Sequence, residues 1–211
     1  YADILLWLEK GWIDYVTPQL YWERGHKLCD YDTLLDWWNK YSYDKQVYIG
    51  HGIYRAGTNT AWKHKNELPN QIKKLREYTT TQGSIYFSSA SFNKNPNGWC
   101  DTLRNNYYAF PSIPPPMKWV DSTQPTKPSI TRMKNGIVKI TLSSREKIKG
   151  FGVFVVNEDD EPNYANAQLV AIATQATGSD IDVNKWLKKN KRIFIATISR
   201  TNNVSDWVEV K

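Results

Sequence analysis

The front of the chain switches repeatedly between the two-residue period of a strand and the 3.6-residue period of a helix. Residues 2–11 (ADILLWLEKG) put Ile4, Leu5 and Leu8 at helical spacing, with Gly11 as a natural stop. Trp12–Trp22 (WIDYVTPQLYW) reads as a strand with Ile13, Tyr15, Thr17, Gln19 and Tyr21 on one face and Val16 and Leu20 on the other. After a loop from Glu23 to Cys29, Asp30–Ser42 is helical: Asp30 or Asp32 can cap it, and Leu34, Leu35, Trp38 and Tyr41 form a stripe to bury. Gln46–Tyr54 (QVYIGHGIY) is a second strand that runs into a glycine-bearing loop. Asn66–Thr79 is an amphipathic helix burying Leu68, Ile72 and Leu75, with Pro69 in its first turn, where a missing N–H is harmless. Ser84–Ala90 is a third strand, Ser91–Gly98 a polar loop, and a last helix lies near Trp99–Tyr108.

Strands alternating with helices imply parallel βαβ connections. A closed (β/α)8 barrel of about 250 residues uses about thirty residues per unit, so three units amount to the last part of a barrel. An open doubly-wound sheet is the alternative. It ordinarily carries a G-x-G-x-x-G phosphate loop, and the sequence contains none. The prolines of Pro111–Trp119 (PSIPPPMKW) and the run Asp121–Pro128 mark a semi-rigid linker. Beyond it the period changes to short strands: Ile130–Lys134, an Asn135-Gly136 hairpin turn, Ile137–Leu142, Gly150–Asn157, Gln168–Thr174, Arg192–Arg200 and Trp207–Val210. Asp182–Lys189 fits one helical turn. The fold class expected is therefore α/β plus all-β. About three βα units of a TIM barrel occupy residues 1–119, a linker covers 120–128, and a β-sandwich covers 129–211.

Composition supports the division. The chain has 211 residues, and 23 of its 29 aromatic residues lie in the first 119. No stretch approaches the ~18 consecutive apolar residues of a membrane span, and no signal peptide is visible. Two cysteines, Cys29 and Cys100, are too few for a disulfide scaffold, and pairing and free thiols both remain open. The net charge of +7 is shared by both halves rather than gathered into a patch, which argues against a nucleic-acid partner. The one dense run, Lys185, Lys188, Lys189, Lys191 and Arg192, reads as a solvated turn.

In a (β/α)8 barrel, ligands bind at the C-terminal ends of the strands. Those ends carry Gln19, Tyr21 and Trp22, then His51, Tyr54 and Arg55, then Ser88, Ser89, Phe92 and Asn93. Aromatic faces stack on the apolar side of a pyranose, and amide side chains offer a donor and an acceptor to vicinal hydroxyls. Gln19, Tyr21, Trp22, His51, Tyr54 and Asn93 are therefore the candidate substrate-binding residues, the competing reading being that the aromatic ones pack the rim. Were such a sugar to be cleaved hydrolytically, two carboxyl groups would be needed, ~5–5.5 Å apart for retention or ~6.5–9.5 Å for inversion. No convincing pair is evident. Glu23, on the first rim loop, is the single weak candidate, and the acids are expected on strands preceding Tyr1. His26-Lys-Leu-Cys29 lacks a second pair with ligand spacing, and no G-x-S-x-G occurs, so neither a metal nor a cofactor is expected.

Six blocks carry a resemblance: DYVTPQLYW (Asp14–Trp22), LLDWWNKY (Leu34–Tyr41), YIGHGIYR (Tyr48–Arg55), ELPNQIKKLR (Glu67–Arg76), IYFSSASFNKNPNG (Ile85–Gly98) and PSIPPPMKW (Pro111–Trp119). In this order they resemble the bacterial glycosyl hydrolase-like family ten. The resemblance implies a (β/α)8 barrel acting on polysaccharide or glycan chains, often exported to the periplasm, cell surface or exterior. The rear half resembles a fibronectin type III or immunoglobulin-like module, with Phe194–Val210 as its final two strands. The chain is thus expected to be a fragment of a glycosidase carrying part of the sugar-binding cleft. The alternative is a non-catalytic carbohydrate-binding or cell-surface structural module. A partial barrel leaves a strand edge open, so self-association through that edge is also expected.

Overall fold

The computed structural model describes residues 2–132, 134–143, 147–174 and 180–211, grouped into two compact units, Tyr1–Ala109 and Phe110–Lys211. In the first unit, three parallel strands lie in the order β1-β2-β3: β1 (Tyr15–Val16), β2 (Gln46–His51) and β3 (Thr81–Tyr86). The helices are α1 (Ile4–Glu9), α2 (Tyr31–Lys40), α3 (Thr60–Lys63), α4 (Glu67–Leu75), α5 (Ser89–Phe92) and α6 (Trp99–Thr102). A π-type turn at Leu103–Tyr107 continues α6.

The register sorts the sheet into two faces. Val16, Val47 and Ile49 turn toward the helices and pack with Leu8, Leu20, Tyr31, Leu35 and Leu75. Ser84 and Tyr86 pair with Ile49 and His51 and so share that face. The opposite face carries Tyr15, Gln19 and Tyr21 from the first strand, Tyr48 from the second and Ile85 from the third. Tyr15 is 53% and Ile85 47% exposed, and Tyr15 meets Tyr48 edge-on at 5.8 Å. A second cluster under α4 and α6 contains Ile53, Trp62, Leu68, Ile72, Trp99 and Leu103.

The two faces separate from Tyr15 to Tyr21 as expected, but Ile13, expected beside Tyr15, packs on the cluster of Val16 and Leu20, and the regular strand is much shorter. Pro18 has no N–H to give to a ladder. Pairing resumes only at Gln19, where Gly50 N donates to the Pro18 carbonyl at 2.8 Å and Leu20 N to the Gly50 carbonyl at 3.0 Å. The third strand starts at Thr81, three residues before its expected position, and the helix Ser89–Phe92 takes up the expected strand end Ser89–Ala90 and the start of the expected loop. Trp38 packs from α2 onto the core as expected for a helix residue, whereas its neighbour Trp37 is 42% exposed.

The second unit consists of two antiparallel sheets. One has the order β4-β5-β8, from β4 (Ser129–Arg132), β5 (Ile137–Thr141) and β8 (Asp180–Asp182). The other has the order β10-β9-β6-β7, from β6 (Ile148–Asn157), β7 (Gln168–Thr174), β9 (Lys191–Ser199) and β10 (Val208–Glu209). Val138 and Ile140 from the first sheet and Val153, Ile193 and Ile195 from the second share one buried cluster. The Asn135-Gly136 turn joins β4 to β5 with φ of 70° and 71°, the left-handed backbone that these two residue types tolerate. Met133, inside the expected strand Ile130–Lys134, lies outside the described residues. The expected helical turn at Asp182–Lys189 is shorter, Asn184–Trp186, because Asp180–Asp182 pairs with β5.

Candidate functional site

The C-terminal ends of the three parallel strands converge on an aromatic corner. Tyr21 follows β1, Tyr54 lies in the turn Ile53–Arg55 after β2, and Phe87 follows β3. Tyr21 and Phe87 are near-parallel, with ring centroids 6.1 Å apart and 28° between planes. Tyr54 stands almost perpendicular to both, at 5.8 Å and 83° from Tyr21 and at 6.0 Å and 85° from Phe87. Tyr54 is 46% and Phe87 55% exposed, so the corner presents apolar rings to solvent. Burial, with the neighbouring Tyr54 phenol adding to it, pushes the Tyr21 phenol above its ordinary pKa and keeps it a neutral hydroxyl.

Glycines make the corner possible. A Cβ on Gly52 would sit 3.0–3.2 Å from the Cβ, Cγ and Cδ1 of Tyr21. A Cβ on Gly50 would meet the Pro18 carbonyl oxygen at 3.0 Å. The G-H-G run of the second strand thus lets the end of the first approach closely and gives the Tyr21 ring its place.

Behind the corner runs a buried polar chain. The amide Nε2 of Gln71, on α4, donates to the Trp22 carbonyl at 3.1 Å and to Glu67 Oε1 at 2.9 Å. The same Glu67 oxygen accepts the Arg24 backbone N–H at 2.9 Å. With its amino group so engaged, Gln71 offers Oε1 to His51 Nδ1 at 3.0 Å. His51 Nδ1 therefore carries the proton, and Nε2 accepts from Ser84 Oγ at 3.0 Å. His51 is fully buried between Tyr31 and Tyr86, with ring centroids at 5.9 and 5.3 Å. Burial lowers its pKa to about 4, against the opposing effect of the Gln71 hydrogen bond, so the ring is neutral. The arrangement ties both outer strands and the first rim loop to α4.

Glu23 closes the same loop. Its Oε1 accepts from Asn59 Nδ2 at 3.1 Å and its Oε2 from the Trp62 indole at 2.9 Å. Burial pushes this carboxyl upward. Its hydrogen bonds, led by its own backbone N–H and Trp62, together with the nearby His26, outweigh that and hold it below the usual carboxylate range. It is ionised, and each oxygen is engaged in fastening the rim loop to α3. Arg24 adds a fork onto Asp32, with Nε and the second terminal nitrogen at 2.9 and 2.7 Å.

Of the candidates from the sequence, Tyr21 and Tyr54 meet at the corner. Gln19 is exposed on the same sheet face, and Trp22 is half-buried with its carbonyl held by Gln71. Asn93 is exposed at the end of α5. His51 is buried beneath the corner, on the helix side of the sheet. Phe87 is the residue that sequence reasoning missed. The signal was available in the alternation of Ser84–Phe87, which sends Ile85 and Phe87 to the face opposite Tyr86. Gln71 and Glu67 had no such signal, being polar residues on the buried side of an amphipathic helix. His26 Nδ1 accepts the Cys29 backbone N–H at 3.1 Å, and Cys29 and Cys100 are free thiols. Among the described residues no helix is long and apolar enough to cross a membrane.

The site is thus a parallel sheet backed by helices, with aromatic rings gathered at its C-terminal strand ends. Residues 1–69 match the family described as Glycosyl hydrolase-like 10. The chain is similar to the protein named glycosyl hydrolase YngK of Bacillus subtilis (strain 168), 38% identical over 143 residues, which is 64% of this chain and 28% of that protein. It is also similar to glycosyl hydrolase DigH of Escherichia coli (strain K12), 30% identical over 103 residues, or 44% of this chain and 24% of that protein. The chain thus spans about a quarter of the length of these curated relatives.

Proposed function

We propose that this chain supplies part of the glycan-binding cleft of a glycoside hydrolase acting on polysaccharide or glycan chains. In this reading β1, β2 and β3 are three strands of a (β/α)8 barrel, and the second unit is a β-sandwich of the fibronectin type III or immunoglobulin-like class. The observation that carries the reading is the corner of the half-buried Tyr21 with the exposed Tyr54 and Phe87 at the C-terminal ends of parallel strands. The near-parallel Tyr21 and Phe87 offer a platform to the apolar face of a pyranose, and Tyr54 offers a wall. The exposed amides of Gln19 and Asn93 offer paired donors and acceptors to hydroxyls.

Glu23 serves in this reading as a positioning residue, since both oxygens already hold α3 in place. Hydrolysis belongs to the whole protein, with its acid and base supplied by other strands of the barrel. The outer edges of β1 and β3, with Tyr15 and Ile85 exposed on the face between them, are where further barrel strands or a second copy would pair. Export to the periplasm, cell surface or exterior rests on the family resemblance alone.

Isothermal titration of the chain with cellohexaose, chitohexaose, xylohexaose and mannohexaose tests the proposal. Binding of at least one that Tyr54→Ala or Phe87→Ala weakens is the expected result. No binding to any of the four, or binding that neither substitution alters, would overturn it.

A further inference from the structure

The second unit has a cleft of about 690 Å³, within the range of small-molecule sites. One wall is the proline-rich segment Pro111–Pro116, and the floor includes Phe154 and Leu169 from the four-stranded sheet. The wall is built in place: Ile113 packs on the cluster of Phe154, Val156, Phe194 and Ala196. Met117 N donates to the Thr201 carbonyl at 3.3 Å, and Asn203 Nδ2 to the Asp121 carbonyl at 2.8 Å. Gln124 Nε2 reaches Asp206 at 3.1 Å.

At the mouth stands Tyr164, 63% exposed yet firmly held. Its ring lies perpendicular to Trp207 at 5.0 Å and to Phe154 at 6.0 Å, and Trp207 stacks on Phe154 at 4.4 Å and 17°. An aromatic residue fixed before a ligand arrives loses little freedom on binding. The polar residues of the lining are Ser112, Lys118, Ser122, Gln124, Asn202 and Asn203 beside Tyr164, and the lining contains no carboxylate. That charge pattern disfavours a cationic ligand. A preset ring with proline C–H surface beside it, surrounded by hydroxyls and amides that both donate and accept, matches a polyhydroxylated ring compound. A proline-rich peptide shares the apolar half of this match but has no hydroxyls to pair with the polar rim.

We propose that this cleft is a second carbohydrate site, taking one or two rings of an oligosaccharide against Tyr164 and the proline wall, with hydroxyls paired to Ser122, Gln124 and Asn202. It stands on residues separate from the strand-end corner and does not depend on that reading. The test is an amide-shift titration of the isotope-labelled full chain with the same four hexasaccharides and with decaproline, in the wild type and in a Tyr54→Ala/Phe87→Ala background. At least one hexasaccharide is expected to shift the amides of Ser122, Tyr164 and Asn202 equally in both backgrounds. Tyr164→Ala should weaken that response about ten-fold, and Tyr164→Phe, which keeps the ring, should retain it. The proposal is overturned if no hexasaccharide shifts these amides, if the shifts survive Tyr164→Ala, or if decaproline alone produces them. Failure of the strand-end corner would instead appear as missing shifts near Tyr21, Tyr54 and Phe87, with the cleft unaffected.

Discussion

Replacing Gln71 by leucine tests whether the buried polar chain fixes the rim. Gln71 is fully buried and engages three partners through one amide. Leucine fills a similar volume but leaves the His51 Nδ1–H and the Trp22 carbonyl without partners, while Glu67 keeps the Arg24 N–H. An orphaned buried polar group costs about 1–3 kcal/mol, so two cost about 2–6 kcal/mol, a large share of the 5–15 kcal/mol that stabilises a typical domain. Urea unfolding followed by tryptophan fluorescence reads this in the right place, because seven of the ten tryptophans precede residue 110. The transition should move to lower urea at unchanged slope. The substitution should also weaken glycan binding, since Tyr21 and Trp22 lose their anchor although Gln71 touches no ligand. A stability within about 0.5 kcal/mol of the wild type, the size of an ordinary surface substitution, would show that the buried polar chain does not fix the rim.

Three further outcomes follow from the same geometry. Gly52→Ala should displace Tyr21 and weaken glycan binding several-fold, with about 1–3 kcal/mol lost to overpacking, as read by calorimetry and urea midpoint. His51 binds a proton more readily unfolded, near 6.5, than folded, at about 4, so its contribution is complete above pH 6.5 and is lost as the pH falls toward 4. That difference corresponds to about 3 kcal/mol, and the acid sensitivity of the first unit in this window should flatten in His51→Gln. Trp62→Phe removes the indole donor from Glu23 Oε2, so the Glu23 carboxyl should titrate nearer its ordinary range, as followed by carboxyl carbon shifts.

Much of the first unit was legible because its signals are local and periodic. The alternation from Tyr15 to Tyr21 separated the two sheet faces, although Ile13 before it packs on the helix side, and Leu68, Ile72 and Leu75 identified the buried side of α4. What escaped the sequence depended on partners distant along the chain. Pro18 interrupts the first strand only because β2 needs its missing N–H, and Asp180–Asp182 is a strand only because β5 lies beside it. His51 looked like a ligand contact because it ends a strand at the rim. Its burial follows from parity with Ile49, on the helix-facing side, and from Gln71 being there to satisfy it. Phe87 was missed for the complementary reason: the third strand starts earlier than its apolar run, which moves Phe87 from mid-strand to the rim. The aromatic crowding of the front half divides accordingly into a buried share, such as Trp62 and Trp99, and the exposed corner.

The most direct test of glycan binding at the strand-end corner is a crystal structure of the chain with a hexasaccharide that binds it. A sugar ring is expected in van der Waals contact with Phe87 or Tyr21, edged by Tyr54, with a hydroxyl paired to Gln19. A saturated crystal with the sugar bound elsewhere and this corner empty would contradict it.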